Sequence, residues 1–281
     1  MKKILVTGAT GQLGSELLVL SSSYSSYDWI FADRTKATLD DLELLQSQLS
    51  GIKPDIIFNC GAYTAVDKAE SEKELSFKVN HLAVGLIAKY ARENNVKIIH
   101  ISTDYVFDGT SSIALDEEAE TNPINVYGES KLAGETACLQ ENPESIIIRT
   151  SWVYSKFGNN FVKTMQRLMQ ERDEITVVND QIGSPTHAAD LAQAMINVIE
   201  SPEWISGIYN YSNEGEISWY EFAENIKELG SYSCKVTGIP SLSYPTPAKR
   251  PSYSLLNKEK IKTIYNLEVP NYKDSLRKMF A

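Results

Sequence analysis

Eight residues near the start, Thr7-Gly8-Ala9-Thr10-Gly11-Gln12-Leu13-Gly14, constrain this chain more than any other stretch. They stand directly after the apolar run Ile4-Leu5-Val6 and directly before a segment with helical spacing, Leu13–Leu20. Glycines between a strand and a helix permit a tight turn, close helix–strand packing, and approach of a pyrophosphate to the backbone at the helix N-terminus. That context separates the motif from an ordinary glycine-rich turn. Asp33 follows Gly14 by 19 residues, at the end of the second apolar run, where an acidic side chain accepts the ribose hydroxyls of NAD. Arg34 beside it suits a 2′-phosphate instead, so the residues leave NADH and NADPH both open.

Apolar bursts alternate with helical spacing through the first two thirds of the chain. The strand-like runs are Ile4–Thr7, Trp29–Ala32, Asp55–Asn59, Lys97–Ser102, Ser145–Arg149 and Ile175–Val178. They are short, rich in Ile and Val, and continuous, as parallel strands covered on both faces read. Helical spacing appears over Leu13–Leu20, Leu42–Leu49, Ser76–Glu93, Tyr127–Leu139 and Ala188–Ile199. Strand–helix repetition predicts a doubly wound α/β sheet. After Pro202, Ser, Tyr, Gly and Pro become frequent, which predicts a smaller, loop-rich lobe.

Composition removes other classes. With 27 basic and 37 acidic residues the net charge is −10, which repels nucleic-acid backbones and anionic membranes. Three widely spaced cysteines suit a reducing cytoplasm better than a disulfide framework, and with three histidines they show no metal-ligand spacing. The apolar stretch after Met1-Lys2-Lys3 is too short for a signal peptide, and no run reaches the ~18 apolar residues of a membrane span. A soluble, cytoplasmic protein without a metal is expected.

Two further constellations carry chemistry. Tyr127 and Lys131 are spaced i, i+4, which stacks a phenol and an ammonium one helical turn apart. A lysine charge beside a tyrosine favours phenolate and, with a positive nicotinamide ring, is expected to lower its pKa from about 10. Ser102, Thr103 and Asp104 end the fourth apolar run, at the strand end where ligands of open α/β sheets bind. Trp152, after the fifth, suits stacking on a base or sugar. Lys249 and Arg250, between prolines, are the local candidates for a diphosphate. His100 reads as a satisfied core histidine, and the mixed-sign run Asp67–Glu74 as a solvated helix face.

The glycine turn, the strand-end hydroxyls and Tyr127/Lys131, in this order, resemble the extended short-chain dehydrogenase/reductase superfamily. Longer stretches resemble the dTDP-4-dehydrorhamnose reductases within it: Asn59–Glu70, Ser102–Gly109, Asn125–Glu135, Arg149–Tyr154, Asn179–Thr186 and Tyr244–Pro251. The resemblance runs through essentially the whole chain. It implies a Rossmann-like sheet with a smaller substrate-binding lobe, and reduction of a dTDP-linked 4-keto-6-deoxy sugar to dTDP-L-rhamnose for cell-surface polysaccharide. It implies Tyr127 as proton donor, Lys131 as its modulator and ribose ligand, and Thr103 in the place of the usual serine. Gly8, Gly11, Gln12, Leu13, Gly14, Asp33, Asp40, Asp41, Ala62, Tyr63 and Thr64 would line the cofactor, while Asp104, Trp152 and Arg250 would meet the sugar nucleotide. Residues 1–151 and 174–200 are expected to form the cofactor domain, and 152–173 and 201–281 the smaller lobe. Some relatives hold Mg²⁺ between subunits with an acidic C-terminal tail. Here the last residues are Met279-Phe280-Ala281, so a monomer or a homodimer without metal is expected.

Three rival readings share the fold. A 4,6-dehydratase carries Asp-Glu after the threonine, whereas Thr103-Asp104 is followed by Tyr105. The Trp152 and Tyr244–Pro251 signatures point away from an epimerase. A non-catalytic NADP-binding subunit, like the regulatory β subunit of methionine adenosyltransferase, would keep the fold without turnover. The intact Thr103, Tyr127 and Lys131 favour an enzyme.

Overall fold

The first five apolar runs become strands of one parallel sheet in the computed structural model, which describes residues 1–280. Ala281, the end of the expected smaller lobe, lies outside the described residues. These strands are β1 (Lys2–Thr7), β2 (Tyr27–Ala32), β3 (Ile56–Asn59), β4 (Lys97–Thr103) and β5 (Ile146–Thr150). Helices α1 (Gln12–Ser21) and α2 (Leu42–Ile52) follow β1 and β2. Between β3 and β4 come α3 (Val66–Ala69), α4 (Lys73–Phe77), a π-helical turn (Lys78–Leu82) and α5 (Ala83–Glu93), while α6 (Val126–Glu141) joins β4 to β5. Then follow β6 (Val153–Tyr154), α7 (Phe161–Glu171), β7 (Glu174–Val178), β8 (Ile182–Gly183), β9 (Thr186–His187) and α8 (Ala188–Glu200). The remainder holds β10 (Gly207–Asn210), β11 (Ile217–Ser218), α9 (Trp219–Gly230), β12 (Lys235–Ile239), α10 (Glu259–Tyr265) and α11 (Tyr272–Phe280).

The large sheet runs β10-β5-β4-β3-β1-β2, every neighbour parallel. From β1 the chain turns outward to β2, then crosses back to β3 on the other side. The carboxyl ends of β1 and β3 therefore part into a crevice, the usual ligand site of such sheets. Both faces of the sheet are covered. One carries Ile4, Val6 and Phe58 against Leu17 of α1, Met195 of α8 and Tyr265 of α10. The other sets Leu5, Ile57 and Ile98 against Leu45 of α2 and Ile87 of α5. A third apolar cluster joins Val162 of α7, Phe222 of α9, Leu276 of α11 and the β7–β12 pair.

Several segments, α10 among them, sit differently from the expected division. Residues 175–178 form a strand, but it pairs with β12 in a separate two-stranded sheet instead of extending the large one. Its residues alternate, with Ile175 and Val177 buried and Glu174 and Thr176 exposed, because only one face is covered. Conversely β10, within the region assigned to the smaller lobe, closes the edge of the large sheet against β5. Gly207-Ile-Tyr-Asn210 is too short and polar to stand out as a run, yet Tyr209 is fully buried. No helix among the described residues is long and apolar enough to cross a membrane.

The expected helix Ser76–Glu93 is interrupted by the π turn, where α6 presses closest. A Cβ on Gly134 of α6 would lie 2.0 Å from the Asn80 carbonyl oxygen. At the start of α6, Asn125 accepts the Gly128 N–H at 2.7 Å as an N-cap, and a Cβ on Gly128 would lie 2.2 Å from the Tyr105 carbonyl oxygen. The helix thus lies at backbone distance from its neighbours. Gly134→Ala should lose about 2–3 kcal/mol in urea unfolding, because overpacking against fixed backbone outweighs alanine's helix preference of ~1 kcal/mol. Gly51→Ala, with nothing within 4 Å in α2, should be neutral or stabilising. Equal stability of the two variants would contradict this packing.

Candidate active site

A cleft of about 750 Å³ opens at the carboxyl ends of β1, β3 and β4. Its lining takes in Gly8, Gly11, Gln12, Leu13 and Gly14 of the turn, together with Asp33 and Asp40. Ala62, Tyr63 and Thr64 follow β3, and Thr103, Asp104, Tyr127, Lys131 and Trp152 complete the wall. Three expected residues fall outside it, Lys249 among them. Asp41 instead caps α2, accepting the Leu44 N–H at 3.1 Å. Arg250 is held in a fork by Asp67, with Nη1 donating at 3.1 Å and Nη2 at 2.8 Å. This pairing keeps the Asp67 carboxyl below its ordinary range. The charged run 67–74 is therefore more than a solvated face. Glu70 accepts the Val126 N–H at 2.9 Å, and Glu72 accepts the Tyr63 hydroxyl at 2.6 Å.

The glycine turn touches the end of β3. Gly8 has φ +65°, and a Cβ there would lie 2.7 Å from the Gly61 backbone. A Cβ on Gly14 would lie 2.4 Å from the Gly8 carbonyl oxygen. Gly11 occupies the N-cap of α1 and has no side chain to accept the first helical N–H groups. A bare helix N-terminus behind a glycine cradle, with Asp33 and Asp40 farther along the cleft, fits a dinucleotide. At Asp33, Oδ1 accepts the Thr35 hydroxyl at 2.6 Å and the Thr35 N–H at 2.9 Å, bonds that lower its proton affinity.

Tyr127 and Lys131 lie one turn apart on α6, facing Thr103 at the end of β4. Burial pushes the Tyr127 phenol up to about 12, the Asp104 charge adds to this, and the Thr103 hydroxyl acts the other way. In the chain alone, desolvation of phenolate dominates over the lowering expected from Lys131 together with a nicotinamide charge. Lys131 Nζ instead donates to the Ile101 carbonyl at 2.7 Å. Burial lowers its pKa to about 8, against the opposing charge of Glu135. Asp104 is also buried, which raises its carboxyl to about 6. Its Oδ1 accepts the Thr103 hydroxyl at 3.0 Å, while Oδ2 has no hydrogen-bond partner among the described residues. Ser254 stands close enough to ease that burial without completing a bond.

One supporting residue was missed. Glu135 accepts the Ser102 hydroxyl at 2.5 Å and two Arg149 donors at 2.9 and 2.7 Å. Its signal was present, as the next i+4 step after Tyr127 and Lys131. His100 is fully buried as expected but only half satisfied. Asn59 lies 3.0 Å from Nδ1, Nε2 has no partner among the described residues, and burial holds the ring neutral.

Comparison with known proteins shows the family to which the chain belongs. The family model described as the RmlD substrate binding domain matches residues 1–281. The dTDP-4-dehydrorhamnose reductase of Sinorhizobium fredii is 40% identical, over 99% of this chain and 96% of that protein. The protein of the same name from Escherichia coli is 40% identical, over 98% of this chain and 96% of its own. The crystal structure of a Bacillus anthracis dTDP-4-dehydrorhamnose reductase in complex with NADP superposes with a TM-score of 0.95 at 38% identity, covering 100% of this chain and 99% of that one.

The raised Asp104 pKa fixes the sign of one pH effect. The unfolded chain loses this proton near pH 4 and the folded chain near pH 6, so the burial cost of the charge is absent below about pH 4 and complete above about pH 6. Asp104→Asn should therefore gain stability over the parent as pH rises between these values, by about 1–3 kcal/mol. Urea unfolding of both at about pH 4 and 7.5 measures this. A difference independent of pH would mean that Asp104 titrates normally.

Proposed function

Because the chain belongs to the RmlD substrate binding domain family, we propose that it reduces dTDP-4-dehydrorhamnose to dTDP-L-rhamnose with NADPH or NADH. One observation carries the reading: Thr103, Tyr127 and Lys131 share a single cleft with the glycine turn. The turn and the N-terminus of α1 hold the pyrophosphate, and Asp33 holds the adenosine ribose. When bound, the reduced nicotinamide supplies hydride to carbon 4 of the keto sugar. Thr103 donates a hydrogen bond to the ketone oxygen. Tyr127, protonated at neutral pH, gives that oxygen its proton. Lys131 holds the nicotinamide ribose and offsets the charge of the phenolate left behind. Asp104 and Trp152 orient the sugar nucleotide. Arg250, outside the cleft lining, reaches the diphosphate only by leaving Asp67. The large sheet serves the cofactor, and the α7–α9–α11 cluster builds the sugar-nucleotide side. The product feeds cell-surface polysaccharide from the cytoplasm, and the protein works as a monomer or a homodimer without nucleic acid.

Steady-state oxidation of NADPH and NADH with the dTDP-linked 4-keto sugar tests the reaction, and turnover with neither would overturn it. Tyr127→Phe should lower kcat by ~10²–10⁴-fold with cofactor affinity little changed. Lys131→Ala should lower kcat and also weaken cofactor binding, while Thr103→Val should cost less than either. Near-full turnover in Tyr127→Phe would place the proton donor elsewhere. Both cofactors should serve without a large preference. Asp33→Ala should weaken NADH more than NADPH, and equal losses would exclude Asp33 as the ribose ligand.

A further inference from the structure

Trp152 stands in an unusual backbone position for so large a residue, with φ +48°. Non-glycine residues are strained there and stay only where their surroundings hold them. Three contacts supply that hold. Its carbonyl accepts the Thr186 N–H at 3.2 Å. Its six-membered ring reaches Gly183, where a Cβ would lie 3.0 Å from Cε2 and Cζ2. Its indole also stacks on that of Trp219, with centroids 3.7 Å apart and planes 13° from parallel.

The last two contacts come from one short ladder. Residues Ile182–Gly183 pair antiparallel with Ile217–Ser218, and Trp219 follows immediately as the first residue of α9. A capping box fixes that helix start, with Ser218 accepting the Glu221 N–H at 3.1 Å and Glu221 accepting the Ser218 N–H at 2.7 Å. Phe161 backs Trp219 at 4.6 Å. Trp152 lines the cleft and Trp219 does not, so the second indole lies behind the first. Aromatic pairs prefer offset stacks, and a ring already covered on one face offers only the other to a ligand.

We infer that Trp219 is a positioning residue for the sugar nucleotide: by stacking behind Trp152 it fixes which indole face meets the ligand. This rests on the reading that Trp152 contacts the nucleotide-linked sugar. Trp219 touches neither cofactor nor reacting atoms, so its loss acts on ligand affinity and leaves the proton-transfer step alone.

The test combines Trp219→Ala, Trp219→Phe, Trp152→Ala and the double alanine variant in the full chain. Binding of dTDP-L-rhamnose and of NADPH is measured by calorimetry, and KM and kcat with the dTDP-linked 4-keto sugar. Trp219→Ala should raise both the dTDP-L-rhamnose Kd and the KM about three- to tenfold, with kcat within about twofold and NADPH affinity unchanged. Trp219→Phe should recover most of the loss, and the double variant should be no weaker than Trp152→Ala alone. The exciton-coupled circular dichroism of the stacked indoles should vanish in all of them. If Trp152→Ala weakens dTDP-L-rhamnose binding while Trp219→Ala does not, the inference falls and the role of Trp152 stands. If neither does, the Trp152 reading falls and takes the inference with it. Should Trp219→Ala not fold, Gly183→Ala reports independently. Its Cβ would crowd Cε2 and Cζ2 of the Trp152 indole and shift that ring against Trp219, so it should raise KM without lowering kcat, and an unchanged KM would overturn the proposal.

Discussion

Glu135 and Arg149 face each other with side chains 2% and 3% exposed. Two charges taken out of water cost several kcal/mol each unless good geometry and further hydrogen bonds offset the loss. Here they do. The pair is bidentate, Ser102 donates to Glu135, and the guanidinium lies 5.1 Å from the Phe107 ring. Ser102 and Arg149 belong to β4 and β5 and Glu135 to α6, so the cluster sets the rotation of α6 on the sheet. Tyr127 and Lys131 lie two turns and one turn earlier on the same helical face, and their direction follows from that rotation. The charge of Glu135 also opposes the desolvation of Lys131, whose ammonium would otherwise fall further in pKa. Removing one partner would leave the other buried and alone, typically at a cost of about 3–5 kcal/mol.

A second constraint is contact between backbones. The turn after β1 meets the end of β3 at Gly8 and Gly61, and α6 meets the π turn at Gly134. Such contacts leave no slack in the floor of the cleft. The π turn carries Asn80, whose amide accepts the Tyr63 N–H at 2.8 Å and donates to the Tyr63 carbonyl at 3.0 Å and to Ser130 at 3.0 Å. The loop after β3 and the helix bearing Tyr127 are thereby tied through one buried side chain. By contrast, the wall carrying Trp152 is built from aromatic stacking and short two-stranded ladders. The floor depends on fixed backbone and the wall on ring packing.

Much of the large sheet was legible because continuous Ile/Val runs and glycine turns are local signals. Five of the six runs became its strands. The sixth failed because a run of apolar residues does not name its partner: Glu174 and Thr176 show that 174–178 is covered on one face only. Within the cleft, the glycines, Asp33, Thr103, Asp104, Tyr127, Lys131 and Trp152 came together as expected. Asp41 and Arg250 did not, since each has a nearer partner in Leu44 N–H and Asp67. Capping and ion pairing compete with ligand roles for the same side chains, and only three-dimensional distance decides between them.

The sequence by itself determined the parallel α/β class, the place of the crevice and the residue types along it. Strand periodicity, turn glycines and the i, i+4 spacing on a helix depend on neighbours close in the chain. The tertiary structure alone decided the strand pairing of 174–178, the stacking of Trp219 behind Trp152 and the proton affinities of Tyr127, Lys131 and Asp104. Each of these depends on burial and on partners far away in sequence. Desolvation shifts a pKa by an amount that no local pattern encodes.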